Sequence, residues 1–292
     1  MTAIPERTFD VDLDEYPFES HWWEREGSFM HYVDEGEGVP VIMCHGNPTW
    51  SFLYRNIIKG LAGECRSIAY DLPGFGFSDH PQGYGYTPQE HATWVEALIT
   101  EHLQLERFIL VVQDWGGPIG LSIATRHPHR VLGLVISSTW AWEAAMIAKV
   151  FSKLLGNPLG RRLILKKNIF ARNLVPMILG SEAKKNPAVV DAYVAPFPTP
   201  ESRIGTAVFP EQLTGVAPSL RRWGWQLDVL EGTRVEVIFG RNHLGTRPSD
   251  MATWLRYFPK AQVHKMPDAN HFTQEDCPQQ YVDSIRRILR IL

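Results

Sequence analysis

Seven short runs of β-forming, mostly apolar residues punctuate the chain: FMHYVD, VPVIMC, RSIAYD, FILVVQ, LGLVIS, VEVIFG and AQVHKM. Longer stretches of helical periodicity lie between them, and this alternation predicts an α/β protein with a mostly parallel central sheet flanked by helices on both faces. The cores of three runs, VIMC, ILVV and LGLVI, show no polar alternation, so they are expected as central strands buried on both faces. From Trp140 to Trp225 the strand pattern stops. AWEAAMIAKVFSKLLG, RRLILKKNIFARNLVPMIL and EAKKNPAVVDAYV read as helices, with breaks at Gly156-Asn157-Pro158 and at PFPTP. The expected organisation is a core domain of residues 1–139 and 226–292 carrying a helical cap of residues 140–225, packed on it as a lid. No repeat or low-complexity linker interrupts this plan.

The most informative segment is FILVVQDWGGPIGLSIATRHP, a buried strand, then Gln113-Asp114-Trp115-Gly116-Gly117, then a helix beginning near Pro118. A sharp strand-to-helix turn needs small residues around it and lifts its central side chain above the sheet. Here that side chain is Asp114, an aspartate where a serine would be usual, set beside a helix N-terminus and backbone N–H groups that stabilise developing negative charge. A simpler reading makes Asp114 a helix cap. A second segment, VIMCHGNPTWSFLYRNII, weakens it: a strand followed by a His-Gly turn supplies the second N–H of an oxyanion hole in folds with such an elbow.

At these residues the chain resembles the haloalkane dehalogenases of the α/β-hydrolase superfamily. The motifs that carry the resemblance are HGNPTWSFLYR from His45 to Arg55, DLPGFGFSD from Asp71 to Asp79, QDWGGPIGL from Gln113 to Leu121, YVAPFP from Tyr193 to Pro198 and NHFTQED from Asn270 to Asp276. The resemblance implies an α/β-hydrolase fold in which Asp114 displaces halide from an alkyl carbon and forms an alkyl ester on the enzyme. It also implies that Asn47 and Trp115 hold the leaving halide through their side-chain N–H groups, which both residues possess. His271 follows the last strand, where the chain order of the fold puts the general base that activates water against the ester. His45, His80, His102, His127 and His129 are read as structural.

The resemblance fails at one place. An acid that orients the histidine is expected in one of two loops, but these hold Asn242 and His243 in one case and Ser138 and Thr139 in the other. A neutral orienter fixes the imidazole tautomer without stabilising the imidazolium. Glu143, Asp250 and Asp268 are the carboxylates that would have to serve from unusual positions, and each reads more simply as a solvated surface group.

Composition narrows the remaining choices. A formal net charge of −3 over 292 residues provides no field to collect nucleic acid or an anionic membrane. Three scattered cysteines, the absence of an N-terminal apolar h-region and of any apolar run near ~20 residues fit a cytoplasmic chain that is not membrane-embedded. No nucleotide motif or metal-ligand cluster is present, so neither cofactor nor metal is expected. The expected partners are a small apolar halogenated substrate, water and halide, and a homo-oligomer is compatible with the sequence. The lid aromatics Trp140, Trp142, Phe151, Phe170 and Phe209 belong either to a pocket wall or to lid core. Two alternatives stand beside the dehalogenase: an epoxide hydrolase using the same Asp and His with Tyr193 as lid acid, and an impaired hydrolase retained for small-molecule binding.

Overall fold

A computed structural model describes residues 5–142, 146–222, 227–241 and 247–292. Eight strands form one sheet: β1 (His21–Arg25), β2 (Ser28–Glu35), β3 (Pro40–Cys44), β4 (Arg66–Tyr70), β5 (Phe108–Gln113), β6 (Val131–Ser137), β7 (Arg234–Phe239) and β8 (Gln262–Lys265). Their spatial order is β1-β2-β4-β3-β5-β6-β7-β8. Pairs β1–β2 and β2–β4 are antiparallel, and the rest are parallel. This is the architecture expected from the alternation, with an added antiparallel edge strand, β1, whose sequence HWWER carries too little periodic signal to be seen.

The helices in chain order are α1 (Arg55–Gly60), α2 (Pro88–Ala97), α3 (Gly116–Arg126), α4 (Met146–Leu155), α5 (Pro158–Lys167), α6 (Val175–Ile178), α7 (Ser181–Lys185), α8 (Pro187–Val194), α9 (Ile204–Arg222), α10 (Pro248–Tyr257), α11 (Thr273–Asp276) and α12 (Pro278–Leu289). Successive residues of a strand face opposite sides of the sheet. Ile42, Leu110, Val112, Leu134 and Ile136 therefore join a core with α2 and α3, while Val41, Met43, Ile109, Val111 and Val135 join a second core with α1 and α12. Both sets must be apolar, which is why these strands show no alternation in the sequence.

Local signals set the helix ends. Thr87 and Glu90 form a reciprocal capping box at the start of α2, with Pro88 in its first turn. The Asn157 side chain accepts from the Leu159 and Gly160 N–H groups, and α5 ends where Asn168 adopts a left-handed φ of 52°. That turn divides the stretch read in sequence as one helix from Arg161 onward. Between β6 and β7 the described residues form helices α4 to α9 and no strand.

The chain crosses the sheet in both directions from β3, to β4 on one side and to β5 on the other. Loops leaving adjacent strands at such a reversal point diverge and open a crevice at the strand C-termini. The His-Gly turn after β3 and the Asp114 turn after β5 meet there. No helix among the described residues is long and apolar enough to cross a membrane.

Two tests follow from this packing. A Cβ on Gly116 would lie 2.0 Å from the Cys44 carbonyl oxygen, a backbone atom that cannot swing aside. Gly116→Ala is expected to lower stability in urea unfolding by about 1–3 kcal/mol or more, and an unchanged midpoint would show that the two turns have room to separate. The second concerns His45 and His91, both fully buried, whose imidazoles are held below their usual value of 6.5 chiefly by burial, His91 strongly so. Below pH 6.5 the unfolded chain takes up protons at these positions before the folded one does, so their contribution is complete above that pH and is lost as pH falls. The urea midpoint should drop between pH 7.5 and 5.5, and the non-titrating His91→Gln should show a smaller drop over the same interval; an identical drop would remove His91 from the account.

Candidate active site

Asp114 occupies the first residue after β5 with φ of +48°, a left-handed conformation that a non-glycine residue holds at a cost. Its backbone is tied on both sides. The Asp114 N–H donates to Ser138 O at 3.1 Å, and its carbonyl accepts from Gly117 N at 3.0 Å and from Thr139 Oγ1 at 2.6 Å. The loop after β6 thus holds the turn in place, which gives Ser138 and Thr139 a supporting role that the sequence reading did not assign.

The two carboxylate oxygens of Asp114 have different surroundings. Oδ1 accepts the backbone N–H of Asn47 at 2.9 Å, while Oδ2 lies 3.5 Å from His271 Nε2. One oxygen is anchored by the turn after β3, and the other faces His271. A Cβ on Gly46 would meet Oδ1 at 2.2 Å, so the close approach of that turn depends on the glycine.

The turn is itself fixed from below. His45 Nε2 accepts the Leu72 N–H at 2.9 Å, which a protonated nitrogen cannot do, so Nδ1 carries the hydrogen and donates to Gly46 O at 2.8 Å. Burial keeps this imidazole neutral. Asp71, fully buried, accepts from the Ser51 and Phe77 N–H groups and from His31 Nδ1. Burial alone would raise its carboxyl, but His31, His45 and the Phe77 N–H together more than offset this and lower it from its usual value.

His271 is largely buried, and its N–H donates to Asn270 Oδ1 at 3.0 Å. Its Nε2 is 3.1 Å from the Gln113 amide nitrogen. With that nitrogen as donor, Nε2 is the unprotonated atom and its lone pair is engaged by Gln113. Gln113 is a candidate-site residue missed in the sequence, although its place immediately before Asp114 was a usable signal.

Trp115, 3% exposed, packs its ring against Trp140 at 5.1 Å and Phe209 at 4.9 Å between centroids. Its indole N–H donates to none of the described residues, and the Asn47 amide nitrogen makes only a 3.5 Å contact with Thr206 O. These two side-chain donors thus make no short hydrogen bond among the described residues. Of the lid aromatics, Trp140 and Phe209 reach this neighbourhood, whereas Trp142 packs on Trp254 and Phe151 on Phe170.

The acid positions resolve unevenly. Asn242, His243 and Glu143 lie outside the described residues. Asp268 is exposed, as expected. Asp250 is not the solvated surface carboxylate expected from its neighbours: it is 4% exposed, bonded by the Arg247 guanidinium at 2.9 and 3.1 Å, by the Arg247 N–H at 2.8 Å and by the Trp142 indole at 3.3 Å. It caps α10 and lines a small cavity with Ser138, Thr139 and Trp254, about large enough for one water. Tyr193, the candidate lid acid for an epoxide, donates to Glu275 Oε1 at 2.5 Å. Glu275 is also held bidentately by Arg55 at 2.6 and 2.9 Å. Burial and the neighbouring carboxylate push the Tyr193 phenol far above its ordinary range.

The geometry agrees with the relatives of the chain. The family model for the alpha/beta hydrolase fold matches residues 39–278. The chain is 39% identical over 280 residues to haloalkane dehalogenase 2 of Mycobacterium tuberculosis, covering 95% of this chain and 97% of that protein. It is also 31% identical over 299 residues to a cis-3-alkyl-4-alkyloxetan-2-one decarboxylase of Shewanella oneidensis, covering 94% and 89% respectively. Among solved structures, haloalkane dehalogenase DatA from Agrobacterium tumefaciens C58 superposes with a TM-score of 0.82 at 26% identity, covering 94% of this chain and 97% of that one. On fold, site and relatives together, the chain belongs to the haloalkane dehalogenase family of α/β-hydrolase-fold hydrolases.

Proposed function

We propose that this protein hydrolyses the carbon–halogen bond of small alkyl halides through a covalent ester on Asp114. The observation that carries the reading is the division of labour at the Asp114 carboxylate, with Oδ1 on the Asn47 N–H and Oδ2 facing His271 Nε2 at 3.5 Å. Oδ2 attacks the halogen-bearing carbon from the side opposite the halogen, the carbon–halogen bond breaks, and halide leaves with the bonding electrons. The Trp115 indole and the Asn47 amide donate to that anion, and burial of Trp115 strengthens the interaction by excluding water.

In the second half, Oδ1 is the carbonyl oxygen of the ester and already rests on a backbone N–H. His271 Nε2 takes a proton from water, whose oxygen adds to the ester carbonyl carbon. The negative charge that gathers on Oδ1 is stabilised by the Asn47 N–H, and collapse expels the alkoxide, which takes the proton from His271 and leaves as alcohol. Asp114 is left as a carboxylic acid carrying one oxygen from water, and loss of its proton to solvent regenerates the carboxylate. Substrate, water and halide are the only partners this cycle requires.

The epoxide reading is disfavoured because Tyr193 is committed to Glu275. A strained four-membered lactone also presents a carbon open to Oδ2. Its ring opening would release no halide, so a dialkyl oxetanone belongs beside the haloalkanes in any substrate panel.

Purified protein given bromoalkanes is expected to release bromide, and Asp114→Ala none. His271→Gln should release at most one equivalent per site and gain the mass of the alkyl group, with the hydrolytic step slowed by about 10²–10⁴. Trp115→Phe, which keeps the ring and removes the donor, should reduce kcat/KM for bromide release by about 10-fold to 100-fold. Bromide release that survives Asp114→Ala, or turnover of the oxetanone with no halide release from any haloalkane, would replace this assignment.

A further inference from the structure

Charge and apolar exposure are both concentrated in one part of the helical segment. Between Met146 and Ser181 the sequence carries seven Lys and Arg and no Asp or Glu, against a whole-chain balance of −3. In the same region α4 exposes Met146, Val150 and Leu154, and α5 exposes Leu159 and Leu163, each between 42 and 74%. Spacings of four place the three residues of α4 along one stripe and the two of α5 along another. These stripes are not the faces that hold the helices to the protein. Phe151, Leu155 and Leu165 pack instead with buried Ile164, Phe170 and Ala207.

Lys153 on α4 and Arg162, Lys166 and Lys167 on α5 are exposed beside these stripes, and Arg172 follows. Among the described residues none of these five forms an ion pair with a carboxylate. We infer that the α4–α5 face docks on an anionic lipid bilayer surface, with its aliphatic stripes at the level of the acyl-chain boundary and its cations among the headgroups. An apolar stripe flanked by Lys and Arg is the arrangement of helices that lie in a membrane interface. Each helix has ten residues, far too few to span a bilayer, so the attachment is peripheral.

Charge selects this occupant over the others. A second copy meeting the same face about a two-fold axis would set the cations of α4 and α5 against their own copies, since neither helix carries an Asp or Glu. Nucleic acid would satisfy the cations and leave five aliphatic side chains against phosphate and sugar. The whole-chain charge suggested no membrane partner because acidic residues elsewhere cancel this local excess.

Sedimentation of the full chain with vesicles tests the inference without turnover, so its outcome is independent of the proposed chemistry. Vesicles of phosphatidylcholine containing about 30 mol% phosphatidylglycerol should bind at least tenfold more tightly than phosphatidylcholine alone, and about 0.5 M NaCl should release the protein. Combined Lys153→Glu, Arg162→Glu and Lys166→Glu should abolish binding, while Leu154→Ser with Leu163→Ser should weaken it about tenfold or more, both with unchanged circular dichroism. No binding to either vesicle, or equal binding to both that survives the charge reversal, would overturn the inference. So would a dimer in analytical ultracentrifugation that Leu154→Ser dissolves, because the face would then belong to a second copy.

Discussion

The site depends on the close approach of two backbone turns, those after β3 and β5. Gly116 sits where any side chain would strike the Cys44 carbonyl, and Gly46 sits where one would strike the Asp114 carboxylate. Because the turns touch, the Asn47 N–H reaches Asp114 Oδ1 without any side-chain reorganisation. The cost is the left-handed φ of Asp114, on the order of 1–3 kcal/mol. Three hydrogen bonds to the Asp114 backbone, each worth about 0.5–1.5 kcal/mol, are of the same size and come from the elbow itself and the loop after β6. Chemistry at β5 is therefore supported structurally from β6.

A second constraint joins the His271 loop to the helical segment. Arg55 lies on the strand-to-helix stretch that begins with Asn47, Glu275 lies four residues after His271, and Tyr193 belongs to α8. Their buried cluster fastens three segments that are far apart in sequence. Removing one partner of such a buried pair leaves an uncompensated charge and costs about 3–5 kcal/mol. The cluster also decides what Tyr193 can do. A phenol whose proton is held by a carboxylate and whose ionisation is suppressed by burial is a fastening group, so the tyrosine that sequence offered as an electrophile toward epoxides is committed elsewhere.

The strand core and the elbow were legible because both are written locally. An apolar run without alternation can only be a strand covered on both faces, and Asp-Trp-Gly-Gly after such a run has few other uses. What escaped was written across the chain. The pairing of Gln113 with His271 spans 158 positions, and that of Arg55 with Glu275 spans 220. The β1 strand earns its place by pairing with β2 rather than by its own periodicity. Asn168 looked like one polar residue in a helical stretch, and only its left-handed backbone reveals a terminus. Asp250 looked solvated because burial is decided by Trp142, more than a hundred positions away.

That last carboxylate bears on the two chemical steps. The loop between β7 and α10 is pinned at its start by the Arg241 N–H on Ala269 O at 2.7 Å, beside the His271 loop, and at its end by Asp250 on Arg247. Asp250 thus fixes a loop end, with its oxygens committed to Arg247 and Trp142. The residues between the pins are Asn242, His243, Leu244, Gly245 and Thr246, which include no carboxylate. In the cycle proposed for this site, displacement of halide creates no charge on His271 and does not call for one. Hydrolysis does, since the imidazolium forms as water loses its proton, and an anion beside it would lower that barrier while a neutral group would not. Within that cycle, hydrolysis is the step whose rate depends on the charge of the group that orients His271.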